Sequence, residues 1–189
     1  MVNQWTLKLL LLPLAILYGI GVAIRNGLFS IGLLRGVTFS LPVISVGNLT
    51  VGGTGKTPHT EYLIRLLHEF PHVAVAVAEN RSFAIPQVIR DHPATRVVLL
   101  DDGYQHREVN PGLNILLTEY NRLYTKDWLL PVGRLREWRG GAVRADVIVV
   151  TKCPDTLTAA EIKEITADVK KREDQEVFFS RYRYGLPYK

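Results

Sequence analysis

The glycine-rich segment from Gly47 to Pro58 constrains the fold of this chain more than any other stretch. It reads Gly-Asn-Leu-Thr-Val-Gly-Gly-Thr-Gly-Lys-Thr-Pro, and it joins an apolar run at 42–46 to a helical pattern. Its glycines leave backbone N–H groups free to converge on phosphate oxygens, Lys56 brings a positive charge to them, and Thr57 offers a hydroxyl to Mg²⁺. This order of strand, loop and helix predicts a site for a nucleoside triphosphate.

The segment departs from the usual phosphate-loop pattern at one position. Thr50 stands five residues before Gly55, where a glycine is usual, while the core Gly-Gly-Thr-Gly-Lys-Thr is intact. A glycine-rich turn without a ligand is the alternative interpretation. The succession of strand, glycines, Lys-Thr and helix start favours the phosphate loop over that turn.

Strand and helix patterns alternate along the rest of the chain. Helical spacing follows the phosphate loop up to Phe70 and recurs at 83–90, and Thr158 with Glu161 forms a capping box that opens a helix over 159–171. This alternation predicts a P-loop NTPase-like α/β fold, with a mostly parallel sheet and helices on both faces. Apolar runs predict six strands, at 42–46, 73–77, 96–100, 113–117, 147–150 and 176–180.

Two acidic residues, Asp101 and Asp102, follow directly after the apolar run 96–100. The carboxyl end of a strand is where open α/β sheets bind their ligands. Asp101 is therefore the first candidate to hold Mg²⁺, directly or through water. Asp102 and the nearby His106 are candidates for binding metal or orienting a nucleophile. Capping of a helix, or acceptance of loop N–H bonds, is the alternative role for the two carboxylates.

The N-terminal segment carries no charge over the sixteen residues Leu9–Ile24, and its apolar character resumes after them. A membrane span usually needs about 20 such residues, and Pro13 weakens a straight helix. We therefore expect an amphipathic or shallowly inserted membrane helix within a segment covering 1–36, followed by an α/β domain covering 37–189. A signal peptide, with Lys8 before its apolar run, and a core helix packed on the sheet are the alternatives.

Composition limits the partners that the chain can bind. A single cysteine, Cys153, excludes an internal disulfide framework and fits a reducing compartment such as the cytosol. The formal net charge is +5, and four arginines fall close together at 134, 136, 139 and 144. No zinc, helix-turn-helix or RNA-binding pattern accompanies them, so we expect no nucleic acid partner, and phosphate or anionic lipid fits the charge better. An ordinary solvated loop is the alternative for these arginines.

The segment Val46–Pro58, together with Asp101–His106, which reads Asp-Asp-Gly-Tyr-Gln-His, resembles the tetraacyldisaccharide 4'-kinase (lipid A 4'-kinase) family. The resemblance covers nearly the whole chain. It implies transfer of the γ-phosphate of ATP, with Mg²⁺, to the 4'-hydroxyl of a tetraacyldisaccharide 1-phosphate, the lipid A disaccharide 1-phosphate precursor. It also implies a peripheral or monotopic position at the cytoplasmic face of the bacterial inner membrane, in contact with inner-membrane lipid and with no obligate protein partner. Further similar stretches lie at 11–14, 116–119, 130–136 and 149–154.

The resemblance also assigns roles to individual residues. It implies that the ATP phosphates are bound by Thr50, Val51, Gly52, Gly53, Thr54, Gly55, Lys56 and Thr57. The catalytic region would comprise Lys56, Asp101, Asp102 and His106, and Thr57 with Asp101 would hold Mg²⁺. Arg134 and Arg136 would meet a phosphate group.

The chain departs from the family pattern after Phe70. Family members carry a further strand there, with a Ser-Arg-Gly-Tyr type loop, and then a Gly-Asp-Glu segment whose aspartate is a candidate for activating the acceptor hydroxyl. This chain passes directly from Phe70 to Pro71, and family chains continue beyond Lys189 into a second lobe. The alternative function is therefore a catalytically impaired nucleotide- and membrane-binding fragment of such a kinase. A phosphate-loop GTPase or metal-chaperone ATPase is a more distant interpretation.

Overall fold

The computed structural model describes residues 4–70, 74–78 and 81–182, and side chains for 5–70 and 85–182. Within these residues, helices and strands alternate up to residue 101 and again from residue 147, while no α-helix separates the third, fourth and fifth strands in chain order. Their bounds are α1 (Gln4–Ser30), β1 (Val43–Asn48), α2 (Lys56–His68), β2 (Ala74–Ala78), α3 (Arg81–Asp91), β3 (Thr95–Asp101), β4 (Leu113–Glu119), β5 (Val147–Thr151), α4 (Ala159–Val169) and β6 (Glu176–Phe179). Two short 3₁₀ helices, Tyr124–Lys126 and Arg139–Arg144, lie between β4 and β5.

The six predicted strands all form, close to their predicted bounds, and they build one sheet in the order β2-β3-β1-β4-β5-β6. Every pairing between neighbours is parallel. Val73, the first residue of one predicted strand, lies outside the described residues. The predicted capping box also forms, because the Thr158 side chain accepts a hydrogen bond from the Glu161 backbone at the start of α4. The predicted α/β fold with a parallel sheet is thus confirmed.

Helices cover both faces of the sheet, because side chains alternate between the two faces along each strand. Val46 of β1 packs in one apolar cluster with Leu63 of α2. Val43, three residues earlier and on the opposite face, packs with Ile85 of α3. The far half of that second face is covered by α4, whose Val169 joins an apolar cluster with strands β4 and β5. The predicted two-faced layering follows from this alternation.

The N-terminal helix α1 lies within the predicted segment 1–36. It continues past Pro13 and Arg25 to Ser30, giving 27 residues and a length of about 40 Å. Among the described residues, Trp5–Ser30 is long and apolar enough to cross a membrane by length and composition, with a mean hydropathy of 2.2. Only 11% of that stretch is buried, so the alternative of a core helix packed on the sheet is wrong. Ala15 and Gly19 mark the face that contacts the rest of the protein.

Candidate active site

The carboxyl ends of β1, β3 and β4 meet at one edge of the sheet. Strand β1 lies between β3 and β4, so the strand order reverses at β1. In register, Val46 of β1 pairs with Asp101 of β3, and Asn48 pairs with Leu117 of β4. Open α/β sheets bind ligands in the crevice at such a reversal. The predicted phosphate loop and the predicted metal carboxylate therefore arrive at the same edge.

The phosphate loop connects β1 to α2 in a conformation that needs glycine at two positions. Gly52, with φ 114°, and Gly55, with φ 89°, occupy the left-handed region, which other L residues enter at a cost of about 1–2 kcal/mol. Gly55 immediately precedes Lys56, the first residue of α2. The unpaired N–H groups of the first helical turn, with the positive end of the helix dipole, therefore face the loop.

Buried polar side chains from two strands hold the loop in place. Asn48 Nδ2 donates to Thr54 Oγ1 at 2.8 Å, and Thr151 Oγ1 donates to the Thr54 carbonyl at 2.8 Å. All three residues are buried. Because β1 and β5 thus both hold Thr54, the loop is fixed without a ligand, as preorganised binding requires. Neither hydrogen bond was predicted from the sequence, because no local pattern marks Asn48 or Thr151 as a partner of Thr54.

Open space lies above the two central glycines of the loop. A Cβ atom added to Gly53 would meet no heavy atom within 4 Å, and one added to Gly52 would meet Arg134 Nη1 at 3.9 Å. A space bounded by backbone N–H groups, a helix N-terminus and a guanidinium fits an anionic group. The loop residues Thr50–Thr57 therefore fit the phosphates of a nucleotide.

The other side of the loop is covered by the end of the sheet. His59 Nδ1 lies 2.7 Å from the Gly55 carbonyl oxygen, and His59 Nε2 lies 2.9 Å from Ser180 Oγ. The Tyr182 hydroxyl occupies the position where a Cβ atom of residue 55 would stand. Gly55 is thus required both by its backbone angle and by this close approach.

Lys56 bridges the ends of β1 and β3. Its Nζ atom donates to Asn48 Oδ1 at 3.3 Å and lies 3.5 Å from Asp102 Oδ1. The side chain is mostly buried. An ammonium held in this way has little freedom to lose when it meets a phosphate, so the side chain is suited to bind one without a large ordering cost.

Asp101 is fixed by two donors at the start of α2 and the end of β3. Asp101 Oδ1 accepts a hydrogen bond from Thr60 Oγ1 at 3.2 Å and from the Asp102 backbone N–H at 3.0 Å. Thr57 lies three residues before Thr60 and hence on the same side of α2. A carboxylate and a hydroxyl on one side of a phosphate loop are hard oxygen donors that suit Mg²⁺.

The donor set matches a magnesium ion that shares its ligands with a nucleotide. Among the described residues, no three His, Cys, Asp or Glu side chains cluster as a metal cage. Mg²⁺ commonly uses one or two carboxylates and completes its shell with phosphate oxygens and water. Thr57 and Asp101 therefore fit as its protein ligands.

Asp102 has a strained backbone and a basic partner on each side. Its φ of 49° lies in the left-handed region, a conformation that is often found at functional sites. Arg136 Nη1 donates to both carboxylate oxygens, at 3.0 and 3.2 Å. Partial burial raises the pKa of Asp102, but the hydrogen bond and charge of Arg136 and the charge of Lys56 outweigh it. The pKa of Asp102 therefore lies below its ordinary value, and the carboxylate is ionised at neutral pH.

Arg136 belongs to an extended strip, residues 134–136, that pairs with the phosphate loop. The Val51 N–H donates to the Arg134 carbonyl at 2.8 Å, and the Arg136 N–H donates to the Leu49 carbonyl at 2.7 Å. Thr50 and Leu135 form an antiparallel bridge between these hydrogen bonds. The two arginines expected to meet a phosphate are therefore held by main-chain hydrogen bonds beside the loop.

Helix α1 contacts the same region through polar side chains. The Tyr18 hydroxyl donates to the Arg136 carbonyl at 2.7 Å, and Arg25 donates to the Gln105 carbonyl at 3.2 Å. Gln105 in turn accepts a hydrogen bond from Arg136 Nη1 at 3.1 Å and donates to the Asn48 carbonyl. The apolar helix is thus linked to the residues around Asp102 by an unbroken set of hydrogen bonds.

His106 follows Asp102 by four residues, and its backbone N–H donates to the Gly103 carbonyl at 3.0 Å. It lines a polar cavity of about 240 Å³ together with Ser45, Tyr104 and Arg144. Among the described residues, the wall of that cavity includes neither Asp101 nor any residue of the phosphate loop. Lys56, Asp101 and Asp102 are thus brought together at the sheet edge, while the assignment of His106 to the same site stays a prediction.

Comparisons with known proteins agree on one family. A family model described as tetraacyldisaccharide-1-P 4'-kinase matches residues 7–70 and 65–183. The tetraacyldisaccharide 4'-kinase of Flavobacterium johnsoniae is 43% identical, with 95% of this chain and 65% of that protein covered. That of Porphyromonas gingivalis is 39% identical, with 97% and 62% covered. The crystal structure of LpxK from Aquifex aeolicus in complex with ATP has a TM-score of 0.71 and 27% identity, and the match covers 92% of this chain and 64% of that chain.

The comparisons also locate the difference in length. The chain spans about three fifths of the curated relatives that it matches. Their alignments run over 226 and 220 residues, more than the 189 residues of this chain, so these relatives contain residues without a counterpart here. The two stretches of the family match meet at 65–70. The predicted internal difference after Phe70 agrees with both findings.

Proposed function

The chain belongs to the tetraacyldisaccharide-1-P 4'-kinase family, and from this membership we propose that it transfers the γ-phosphate of ATP to the 4'-hydroxyl of a tetraacyldisaccharide 1-phosphate, a lipid A precursor. One observation carries the proposal. The phosphate loop, Asp101 and Asp102 lie at the carboxyl ends of adjacent strands, and Lys56 connects the loop to Asp102 at 3.5 Å. A nucleotide and an acceptor that bind at these residues would share one crevice, which supports the proposal.

The nucleotide is bound by the phosphate loop in this proposal. Residues Thr50–Thr57 supply backbone N–H groups, and Lys56 supplies the positive charge that stabilises the transferred phosphoryl group. Thr57 and Asp101 hold Mg²⁺, which, when bound, neutralises charge on the phosphate oxygens. Thr60 keeps the Asp101 carboxylate oriented toward α2 through its 3.2 Å hydrogen bond.

Asp102 acts as an orienting group rather than a strong base. A general base works best with a pKa near the operating pH, whereas the pKa of Asp102 lies below its ordinary value because Arg136 and Lys56 outweigh the effect of its burial. The ionised carboxylate accepts a hydrogen bond from the acceptor hydroxyl and fixes its direction of approach. Phosphoryl transfer depends mainly on positioning and electrostatic stabilisation, so an orienting carboxylate is a useful contribution.

Two features of the chain suit an anionic lipid as the acceptor. Arg134 extends beside Gly52 of the phosphate loop, and the chain carries a formal net charge of +5, which favours anionic partners. Helix α1 supplies an apolar surface that is long enough to enter a bilayer. We place the protein at the cytoplasmic face of the inner membrane, with α1 lying in or spanning the lipid, because ATP is the proposed phosphate donor.

A second candidate function is a nucleotide- and membrane-binding fragment with impaired catalysis. The alignment favours it at one point, because relatives contain residues near position 70 that have no counterpart here. If those residues include a group that activates the acceptor hydroxyl, nucleotide binding persists in this chain while transfer is slow. The two functions share the phosphate loop and differ only in turnover.

Transfer of labelled γ-phosphate from ATP to a tetraacylated disaccharide 1-phosphate in detergent micelles tests the proposal. We expect product with the unmodified chain, and loss of most of it in Asp101→Ala. Asp155→Ala is the matched control, because Asp155 is an exposed aspartate paired with Arg181 on the surface. The kinase proposal is contradicted by absence of product while MgATP binding is measurable, and that outcome selects the fragment.

A further inference from the structure

His59 of α2 contacts the peptide group that joins Gly55 to Lys56 in the phosphate loop. The Nδ1 atom of His59 lies 2.7 Å from the Gly55 carbonyl oxygen, and no step of the proposed transfer uses this imidazole. We propose that His59 is a positioning residue that aims the Lys56 backbone N–H at a phosphate group of the nucleotide. This inference rests on the nucleotide site of the proposed function.

The two partners of the His59 ring determine which nitrogen donates to the loop. A carbonyl oxygen can only accept a hydrogen bond, so Nδ1 carries the proton that is donated to Gly55. Nε2 lies 2.9 Å from Ser180 Oγ, and a serine hydroxyl can either donate to that nitrogen or accept from it. The donor to Gly55 is therefore present whether or not the ring carries a second proton.

A donor on the Gly55 carbonyl fixes the direction of the Lys56 N–H, because both groups belong to one planar peptide. Among the described residues, the one cis peptide bond joins Leu130 to Pro131. The Gly55–Lys56 peptide is therefore trans, and its C=O and N–H point in opposite directions. The carbonyl also accepts the backbone N–H of His59 at 3.2 Å and so points along α2. The Lys56 N–H, which has no acceptor inside the helix, points back toward the loop.

The preceding peptide of the loop is held in the same way. Thr151 Oγ1 donates to the Thr54 carbonyl at 2.8 Å, and this peptide carries the Gly55 N–H. Two successive carbonyls thus receive side-chain donors, the first from Thr151 and the second from His59. The N–H groups of Gly55 and Lys56 lie on the opposite sides of these two peptides. Successive N–H groups that are fixed in a loop form an anion-binding concavity.

Ser180 anchors the other side of the imidazole ring. Its backbone N–H donates to the Val150 carbonyl at 2.8 Å, and its carbonyl accepts from the Cys153 N–H at 2.9 Å. These main-chain hydrogen bonds hold the segment after β6 against β5 without any contribution from His59. The side-chain contact is therefore not needed to keep β6 in place. Instead, Ser180 fixes the orientation of the ring, and the ring fixes Gly55.

Direct contact of the His59 ring with the nucleotide is the alternative role. Both ring nitrogens already have protein partners, Gly55 and Ser180, so a ligand would have to displace one of them. The ring also packs edge-on against Tyr182, with 6.5 Å between the ring centroids and an angle of 62° between the planes. These contacts favour a residue that acts through Gly55 over one that touches the ligand.

Nuclear magnetic resonance of a single peptide group tests the carbonyl contact in the full-length chain. Gly55–Lys56 is the only Gly-Lys pair in the sequence, so ¹³C-carbonyl glycine with ¹⁵N-lysine yields one correlation, from this peptide. We expect His59→Leu to move the carbonyl carbon upfield, because the carbonyl loses a hydrogen bond. His59→Asn should restore the shift, since an asparagine amide can donate to the carbonyl four residues back. An unchanged signal in His59→Leu would overturn the inference.

Nucleotide affinity tests the consequence of this contact for binding. The Kd for MgATP should rise about threefold to tenfold in His59→Leu, the effect of one hydrogen bond, and stay within about twofold in His59→Asn. His68→Leu is the matched control, because His68 is exposed in the last turn of the same helix. Inorganic triphosphate with Mg²⁺ should show the same loss as MgATP, since the Lys56 N–H meets a phosphate group.

Rescue by asparagine separates positioning from a purely structural role. An asparagine side chain is too short to reach Ser180, so a tie between α2 and β6 would make His59→Asn as weak a binder as His59→Leu. That result would overturn the inference. A loss of affinity for MgATP that inorganic triphosphate does not share would overturn it too, because the ring would then contact the nucleoside.

These measurements distinguish the inference from the kinase proposal. MgATP affinity that is equal in the unmodified chain and in His59→Leu rejects the role of His59 and leaves the kinase proposal standing. Weakened binding in His59→Leu with rescue in His59→Asn, in a chain that transfers no phosphate, sustains the role of His59 and contradicts the kinase activity. Absence of MgATP binding to the unmodified chain would reject both.

Discussion

Arg136 and Asp102 contact each other across 34 residues of sequence, with Arg136 Nη1 3.0 Å from one carboxylate oxygen of Asp102 and 3.2 Å from the other. Lys56 approaches the same carboxylate at 3.5 Å from the phosphate loop. Asp102 is therefore shared between Lys56 of the phosphate loop and Arg136 of the strip 134–136. Substitution of either basic residue should therefore change the contact of the other one with the Asp102 carboxylate.

The ion pair predicts a specific pH dependence of stability for Arg136→Gln. The pKa of Asp102 is lower in the folded chain than its ordinary value because of Arg136 and Lys56, so the favourable contribution of this carboxylate is present at neutral pH and is lost as the pH falls through the lowered pKa. The substitution should destabilise the protein by about 0.5–1 kcal/mol at pH 7. The difference between the two chains should shrink as the pH falls from about 4.5 toward 2.

Urea unfolding at a series of pH values measures this difference. Arg134→Gln is the control, because it removes the same charge from an exposed neighbour and should show no comparable pH dependence. A difference between Arg136→Gln and the unmodified chain that is equally large at pH 7 and pH 2 would contradict a role for the Asp102 charge.

Lys56→Ala should abolish most of the affinity for a nucleoside triphosphate and keep the fold. Lys56 supplies the positive charge of the loop, while Asn48, Thr54 and Thr151 hold the loop independently. We expect the Kd for MgATP to rise at least tenfold, which corresponds to about 1.4 kcal/mol. Isothermal titration measures it, with Lys163→Ala on the exposed side of α4 as the control. Unchanged MgATP affinity in Lys56→Ala would reject the phosphate-loop assignment.

Substitution of two loop glycines by alanine should affect stability and MgATP binding differently. Gly53 has open space around the position of a Cβ atom, so Gly53→Ala should leave the melting temperature of the free protein nearly unchanged while weakening MgATP binding, because the methyl group enters the cradle. Gly55 has φ 89° and lies against Tyr182, so Gly55→Ala should destabilise the free protein by more than about 1 kcal/mol. Melting curves with and without MgATP test both expectations, and an equal loss of stability in the two variants would contradict them.

The fold was largely predictable because its strands are short and apolar, and the central strands β1, β3 and β4 are mostly buried. Each apolar run, such as 96–100 or 147–150, has no other apolar run beside it that could form the strand instead. The phosphate-loop segment, which joins a strand to a helix, indicates that the strands are parallel. The bounds of α1 within 1–36 were not predicted, because Pro13 weakens a straight helix. A proline inside a helix is compatible with one continuous helix when tertiary contacts such as that of Tyr18 with Arg136 support it.

The candidate site was predictable only where its members are adjacent in sequence. Lys56, Thr57, Asp101 and Asp102 fall within short motifs, and the sheet register brings those motifs together. Thr60 and Thr151 could not be identified, because a threonine in a helix or strand carries no local signal of the carboxylate or carbonyl that it binds. The pairing of 134–136 with 49–51 is likewise a contact between distant loops. No periodicity encodes such a contact.

Glu137 provides a last prediction, which concerns the attachment of α1. Its carboxylate is buried and accepts hydrogen bonds from Arg144, at 2.8 and 3.0 Å, and from Asn26 of α1 at 2.8 Å. Glu137→Ala leaves the mostly buried Arg144 guanidinium without its counter-charge and removes one link to α1. We expect a loss of about 3 kcal/mol in the free energy of unfolding.

Urea unfolding followed by circular dichroism measures that loss. Glu173→Ala is the matched control, since Glu173 is exposed and its replacement should change stability by less than about 0.5 kcal/mol. The double variant Glu137→Leu with Arg144→Met should recover much of the loss, because removing both partners leaves no unpaired charge in the interior. If Glu137→Ala is no more destabilising than Glu173→Ala, the buried pair does not anchor this region, and the hydrogen bonds of Tyr18 and Arg25 must hold α1 instead.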